Sequence, residues 1–119
     1  MNGPSLDGLV ALLDLKAKVR LLTGASMFTL HGDDTVGLAP MAFSDGPTGV
    51  RGVEFARGLK ASLLPNATLL ASTWSEEVAE RVGDLLAEEA QRQQVHVVLG
   101  PTINLHRSPL GGRLFEAYS

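Results

Sequence analysis

The feature that most constrains the fold is a helix pattern followed directly by a strand pattern, between residues 74 and 99. From about Trp74 to Gln93, apolar residues recur at helical spacing along one stripe. Residues 95–99 (VHVVL) are mostly β-branched and apolar, which is typical of a strand buried on both faces of a parallel sheet. A strand before the helix would complete a β-α-β unit, so the sequence predicts an α/β fold with parallel strands. The stripe consists of Val78, Val82, Leu85, Leu86 and Ala90.

Two upstream segments are candidates for the earlier strands. Met41 to Ser44 is a short apolar run that the turn-forming Asp45-Gly46-Pro47 stops, as expected of a brief buried strand. Ala67 to Ala71 is a similar run and is predicted to be a second strand. With residues 95–99, these segments give about three parallel strands with intervening helices.

Capping residues indicate where two helices begin. Asp14 can cap a helix that Gly24 would end at its C′ position, although an apolar cluster just upstream leaves one longer helix open. Before the long helix, Thr73 and Glu76 have capping-box spacing, and Ser75 is a rival cap. Within that helix, the pairs Glu77–Arg81 and Glu88–Arg92 have the acid N-terminal at i, i+4, the favourable orientation.

The composition favours one small globular domain, residues 1–119. The chain is 45% hydrophobic and 19% charged, less polar than a disordered segment. Its net charge of −3 provides no bulk attraction to nucleic acid or to an anionic membrane, and no apolar run reaches membrane-spanning length. The N-terminus does not have the pattern of a signal peptide, so we expect a cytoplasmic protein.

The residue types and their spacing exclude or disfavour thiol chemistry, metal binding and nucleotide binding. The chain has no cysteine, which excludes disulfides, thiolate nucleophiles and Cys-based metal sites. The histidines His31, His96 and His106 lack the spacing of a metal-binding motif. No phosphate-binding glycine motif is present either, so we expect neither a metal nor a cofactor.

Polar residues gather where the predicted strands end. Asp45 follows the first strand directly, and Arg51 returns to the same end six residues later. In parallel α/β folds the carboxyl ends of the strands form the edge where ligands bind. A carboxylate there can accept two hydrogen bonds from neighbouring sugar hydroxyls. The alternative is that Asp45-Gly46 and Gly46-Pro47 simply form a turn, and this stretch by itself favours the turn.

The C-terminal segment carries further candidates. Arg113 follows two glycines, and its guanidinium could donate several hydrogen bonds at fixed angles. Equally, Arg113 or Arg107 could form a structural pair with Glu116, and both readings of Arg113 stay open. Asn104 could simply fix the loop, and for the other polar residues of this segment a structural role is favoured. These residues are His106, Arg107 and Glu116.

Four segments, taken together, resemble the opening of the barrel domain of glycoside hydrolase family 3, of the β-glucosidase type. They are KVRLLTG, SDGPTGVRG, LLASTW and VHVVLGPTINLHRSPLGGRLFEAYS, in the family's order and at about its spacing. The SDGPTGVRG and GGRLFE pieces are the most specific. The resemblance extends from about Leu15 to Ser119.

The resemblance implies a fold and a function. It implies that the chain is the first part of a (β/α)₈ TIM-like barrel. It implies retaining hydrolysis of β-linked sugars, so that the partner would be a β-linked glucoside or oligosaccharide. At matching motif positions, Asp45 would bind hydroxyls of the terminal sugar, Arg51 and Arg113 would help to form the same subsite, and Arg107 and Glu116 would support it.

The resemblance also implies an incomplete enzyme. A β/α barrel needs about 250 residues, whereas this chain has 119 and ends at Ser119, where the family usually continues with Glu-Asp-Pro. The family's catalytic nucleophile and acid/base have no counterpart here, so we expect the isolated chain to be inactive. Uncovered strands would leave it to associate with the remainder of the enzyme or with itself. A non-catalytic sugar-binding or interaction module and a small flavodoxin-like domain are the alternatives, the latter disfavoured because it lacks a phosphate-binding loop.

Overall fold

The structure is a computed structural model that describes residues 3–54 and 59–119. The chain divides into two compact units, the first ending at Ala42 and the second beginning at Phe43. The fold is mixed α/β, with three strands in the order β1-β2-β3. In the described part of the chain, none of the helices has the length and apolarity needed to cross a membrane.

The first unit begins with two short helices, α1 (Leu6–Ala11) and α2 (Leu15–Leu21). The open question of one longer helix is thereby settled in favour of two. Asp14 is extended and accepts a hydrogen bond from the backbone N–H of Ala17, so it caps α2 as predicted and interrupts any continuation from α1. The position of Gly24 is a correction, because Leu22 caps α2 and Gly24 lies two residues beyond.

The first unit closes with an antiparallel pair. Strand β1 (Thr29–Leu30) pairs with Met41 and Ala42, the first residues of β2 (Met41–Asp45). The prediction of three parallel strands is therefore wrong, since only β2 and β3 run parallel among the described residues.

The second unit contains the parallel pair. Residues Phe43 to Asp45 of β2 pair with β3 (Val97–Leu99), and helix α4 (Glu76–Arg92) lies between them in sequence. This is the predicted strand-helix-strand unit, although β3 begins two residues later than expected. Both strands end beside each other, with Asp45 opposite Leu99.

The predicted strand at Ala67 to Ala71 is a helix instead, α3 (Ala67–Ala71). A short apolar run does not by itself distinguish a buried strand from a short helix. The deciding residue is Asn66, whose side chain accepts a hydrogen bond from the backbone N–H of Leu69 and so caps the helix. Ala67 and Leu70 are then both buried on one face.

Helix α4 confirms the strongest sequence prediction with changes at its ends. Ser75, not Thr73, is the N-cap, because its side chain accepts from the backbone N–H of Val78. The apolar stripe is half-buried along its length. The one fully buried residue of the helix is charged, Glu89, with 6% of its surface exposed.

Candidate functional site

The site begins at the end of β2, where two successive residues have opposite environments. Ser44 is fully buried, and Asp45, on the other face of the strand, has 51% of its side chain exposed. The Ser44 hydroxyl donates to the backbone carbonyl of Asp45 and accepts from the backbone N–H of Gly52, at 2.7 and 2.8 Å. Ser44 therefore ties both ends of the following loop together and fixes the base of Asp45.

The loop after Asp45 is possible only with glycine at its corners. Gly46 and Gly49 have φ angles of 131° and 140°, in the region that glycine favours. A side chain on Gly46 would overlap the carbonyl of Gly49, and one on Gly49 would overlap the carbonyl of Ser62. The glycines thus allow the chain to turn back on itself and to lie directly against Ser62.

Arg51 returns to the side of Asp45 because its neighbours are anchored. Val50 is completely buried, and Gly52 is bound to the Ser44 hydroxyl. The backbone N–H of Arg51 donates to the carbonyl of Asp45 at 3.1 Å. Its guanidinium nitrogen Nη1 lies 4.0 Å from Asp45 Oδ2, in an ion pair whose two side chains are each about half exposed.

Arg113 reaches the same place from the C-terminal segment. It precedes a 3₁₀ turn, Leu114–Glu116, and forms two parallel hydrogen bonds of 2.8 and 2.6 Å with the Glu116 carboxylate. Glu116 raises the pKa of Arg113, and the nearby Asp45 carboxylate acts in the same direction. In return, Arg113 lowers the pKa of Glu116. The structural pairing considered for Arg113 is therefore present, and it leaves the guanidinium near Asp45.

The C-terminal segment is held in place by the second unit itself. Thr68 of α3 donates its hydroxyl to the carbonyls of Leu114 and Ala117, at 3.3 and 2.9 Å. The backbone N–H of Tyr118 donates to the carbonyl of Thr102 at 3.1 Å. These bonds fix the 3₁₀ turn and hence the position from which Arg113 extends.

One open cleft of about 680 Å³ joins these groups. Asp45, Arg51 and Arg113 all line it, with Glu116, and Leu99 at the end of β3 lies on its wall. The three side chains therefore line one cleft at the carboxyl ends of β2 and β3, and their role in binding a sugar stays a prediction. A cleft of this size, lined by carboxylates and two guanidiniums, suits a small ligand rich in hydroxyl groups.

Asn104 and Arg107, two further polar residues of the C-terminal segment, are bonded to each other. Asn104 accepts hydrogen bonds from the backbone N–H of Leu105 and from Arg107, at 2.9 and 3.0 Å, so it fixes the loop as expected. Arg107 does not line the cleft that the described residues form. Across residues 3–54 and 59–119, no three His, Asp or Glu side chains are grouped closely enough to hold a metal ion.

Sequence reasoning missed the supports of the cleft. Arg92 forms no ion pair with Glu88 within 4.0 Å in the described ranges, and instead donates to the carbonyl of Lys60 at 2.6 Å. Glu89, which no pattern singled out, accepts from the backbone N–H of Ser62 at 2.6 Å. The only signal in the sequence was an acidic residue next to the apolar stripe of α4.

The known proteins that this chain resembles are all β-glucosidases among those described below. No family model matches the chain. The chain is 41% identical over 114 residues, 96% of its length, to a probable β-glucosidase I of Emericella nidulans. That match spans 14% of the relative, so the chain covers a small part of the proteins it resembles.

Solved structures agree in fold as well as in sequence. The β-glucosidase from Kluyveromyces marxianus in complex with glucose superposes with a TM-score of 0.86 at 35% identity, covering 93% of this chain and 13% of that one. The GH3 β-glucosidase from Bifidobacterium adolescentis gives a TM-score of 0.82 at 37% identity, covering 92% of this chain and 16% of that one.

Proposed function

This chain belongs to glycoside hydrolase family 3, of the β-glucosidase type, and from that premise we propose that it supplies part of the sugar-binding subsite of an enzyme that hydrolyses terminal β-linked glucosides. The observation that carries the proposal is the cleft where Asp45, Arg51 and Arg113 converge. Asp45 would accept hydrogen bonds from two neighbouring hydroxyls, and the arginines would donate to sugar oxygens.

The parallel strands would be the beginning of a (β/α)₈ barrel. Strands β2 and β3 run parallel with α4 between them in sequence, which is the repeating unit of that fold. The cleft lies at their carboxyl ends, where barrel enzymes bind substrate. The rest of a family 3 chain would then complete the barrel, and it is the partner that we propose for this segment.

The catalytic pair would come from that remainder. Retaining glycosidases use two carboxyl groups, one of which is a proton donor with a raised pKa. In the cleft, Arg113 lowers the pKa of Glu116, so Glu116 stays ionised at neutral pH and is unsuited to donate a proton. Asp45 lies beside Arg51 and is suited to bind hydroxyls. We assign no catalytic residue within the chain, and expect no turnover of an aryl β-glucoside by the chain alone.

A chimera tests the proposal. The chain would replace the matched segment of the Kluyveromyces marxianus β-glucosidase, and release of nitrophenol from an aryl β-glucoside would be measured. We expect hydrolysis, and a loss of about tenfold or more in kcat/KM for Asp45→Asn, because a hydrogen bond to a charged group contributes about 1.5–3 kcal/mol. Asp84→Asn makes the same charge change outside the cleft and should have no effect.

Two results would contradict the proposal. A folded chimera in which Asp45→Asn is as active as its parent would remove the subsite role of Asp45. A folded but inactive chimera, together with glucose binding by the isolated chain, would favour a non-catalytic sugar-binding module.

A further inference from the structure

Three side chains at the C-terminal end of helix α4 contact the backbone around the cleft. The Glu89 carboxylate accepts from the backbone N–H of Ser62 at 2.6 Å. Arg92 donates to the carbonyl of Lys60 at 2.6 Å, and Gln93 donates to the carbonyl of Val50 at 2.8 Å. Positions i, i+3 and i+4 share one face of a helix, so a single face of α4, extended by its C-cap Gln93, makes all three contacts.

All three contacts are to backbone atoms of the loop. They therefore fix the path of the chain whatever side chains the loop carries. Val50 and Ser62 both line the cleft, and Arg51 lies next to Val50. The side chain of Gln93 also lies so close to Gly52 that an added methyl group there would meet its oxygen at 2.5 Å. Arg51 is thus held between two residues that Gln93, the C-cap of α4, contacts directly.

Ser62 connects the contact made by Glu89 to the turn after Asp45. Its carbonyl lies against Gly49, at the corner of that turn. Close by, the backbone N–H of Leu64 donates to the carbonyl of Thr48 at 2.9 Å. Movement of Ser62 would consequently move the turn that brings Arg51 back beside Asp45.

Glu89 is the buried member of the set. Burial by itself would raise the pKa of its carboxyl, but the hydrogen bonding of Ser62, the Val50 backbone and the charge of Arg92 together outweigh this and the pKa is lowered. Its second oxygen, Oε2, is buried and has no hydrogen-bond partner within residues 3–54 and 59–119. An ionised and incompletely satisfied carboxylate is costly to bury, and here it is directed at the loop that forms the site.

We propose that Glu89 is a positioning residue of the sugar subsite, which acts through Ser62 to keep the Arg51 guanidinium beside Asp45. Arg92 and Gln93 hold the same loop on either side of that contact. The inference rests on the proposed function for its sugar, and on the contacts of α4 for its mechanism. Glu89 touches no substrate in this account.

The test compares Glu89→Ala and Glu89→Gln with Glu88→Ala, an exposed neighbour on the same helix. Hydrogen exchange at the Ser62 amide reports the loop, the guanidinium nitrogen signals of Arg51 report the site, and amides in the middle of α4 report the fold. Titration with glucose then gives the affinity of each variant of the chain.

For Glu89→Ala we expect protection of the Ser62 amide and affinity for glucose to fall about tenfold or more, as for the loss of a hydrogen bond to a charged acceptor. Protection in the middle of α4 should be unchanged. Glu89→Gln keeps one acceptor oxygen and should recover most of both losses, while Glu88→Ala should match the parent. A rescue by glutamine distinguishes positioning from loss of the fold.

Further outcomes also decide whether Glu89 positions the loop. Unchanged Ser62 protection and Arg51 signals in Glu89→Ala would overturn the inference. If Glu89→Ala does not fold, Gln93→Ala is measured instead. Arg51 signals that match those of the parent chain would then overturn the inference. If the parent chain binds no glucose, the proposed function fails in this assay, but the Ser62 and Arg51 signals still decide whether α4 positions the loop.

Discussion

Replacement of Gln94 by glycine should stabilise the end of α4. The backbone N–H groups of Gln94 and Val95 donate to the carbonyls of Gln91 and Ala90, at 3.1 and 2.8 Å. This is the double hydrogen bond of a Schellman motif, in which the C′ residue is usually glycine. Gln94 occupies that position with a φ of 55°, so its Cβ crowds the backbone.

The size of the effect follows from two opposing contributions. A left-handed conformation costs a residue with a Cβ roughly 1–2 kcal/mol, and glycine gives back about 0.5–1 kcal/mol because it loses more backbone entropy on folding. The net gain for Gln94→Gly is about 1 kcal/mol, which corresponds to a roughly fivefold rise in hydrogen-exchange protection.

The assay is hydrogen exchange at the Val95 amide, corrected for the change in intrinsic rate. Gln94→Ala is the matched control, because it removes the exposed side chain but keeps the Cβ that causes the strain. It should leave protection within about twofold of the parent. Equal gains for alanine and glycine, or a loss for glycine, would refute the reasoning from backbone conformation.

Three further predictions concern other parts of the second unit. At Gly83 an added Cβ meets nothing within 4 Å, so Gly83→Ala should raise the free energy of hydrogen-exchange protection of the α4 amides by about 0.5–1 kcal/mol. A fall in that protection would contradict the prediction. Ser44→Ala leaves the buried N–H of Gly52 without its partner and should lower the free energy of unfolding in urea by about 1–3 kcal/mol. Because Arg113 lowers the pKa of Glu116, their pairing should stabilise the fold above pH 4.5 and be lost as pH falls through the lower folded pKa. Carbon-13 titration of the carboxyl should give an ordinary pKa in Arg113→Ala.

The positions of two cleft residues, Asp45 and Arg51, could be predicted from the sequence more readily than the elements around them. Asp45 could be placed because the β2 run stops there, and strand alternation makes Asp45 exposed when Ser44 is buried. The carboxyl ends of parallel strands meet at one edge, so the position of Arg51 also followed. Arg113 could be placed only through the resemblance, because the bonds that hold its segment come from Thr68.

What could not be predicted depends on contacts between distant residues. Ala67 to Ala71 has the composition of a strand, and one side-chain cap at Asn66 makes it a helix. Glu89 was not singled out, since no local pattern shows that Ser62, 27 residues earlier, would meet it. Local periodicity identifies the elements, but it does not show which loop a helix face will hold.

Binding of glucose to the isotopically labelled chain tests the central claim most directly. If Asp45, Arg51 and Arg113 grip one sugar, titration should shift the backbone signals of Asp45 and the guanidinium signals of both arginines along a common saturation curve. Asp45→Asn should weaken glucose binding and so flatten the saturation curve, whereas Asp84→Asn should leave the curve unchanged. Saturable shifts that spare these three residues, or no shifts from a folded chain at any sugar concentration, would contradict the account.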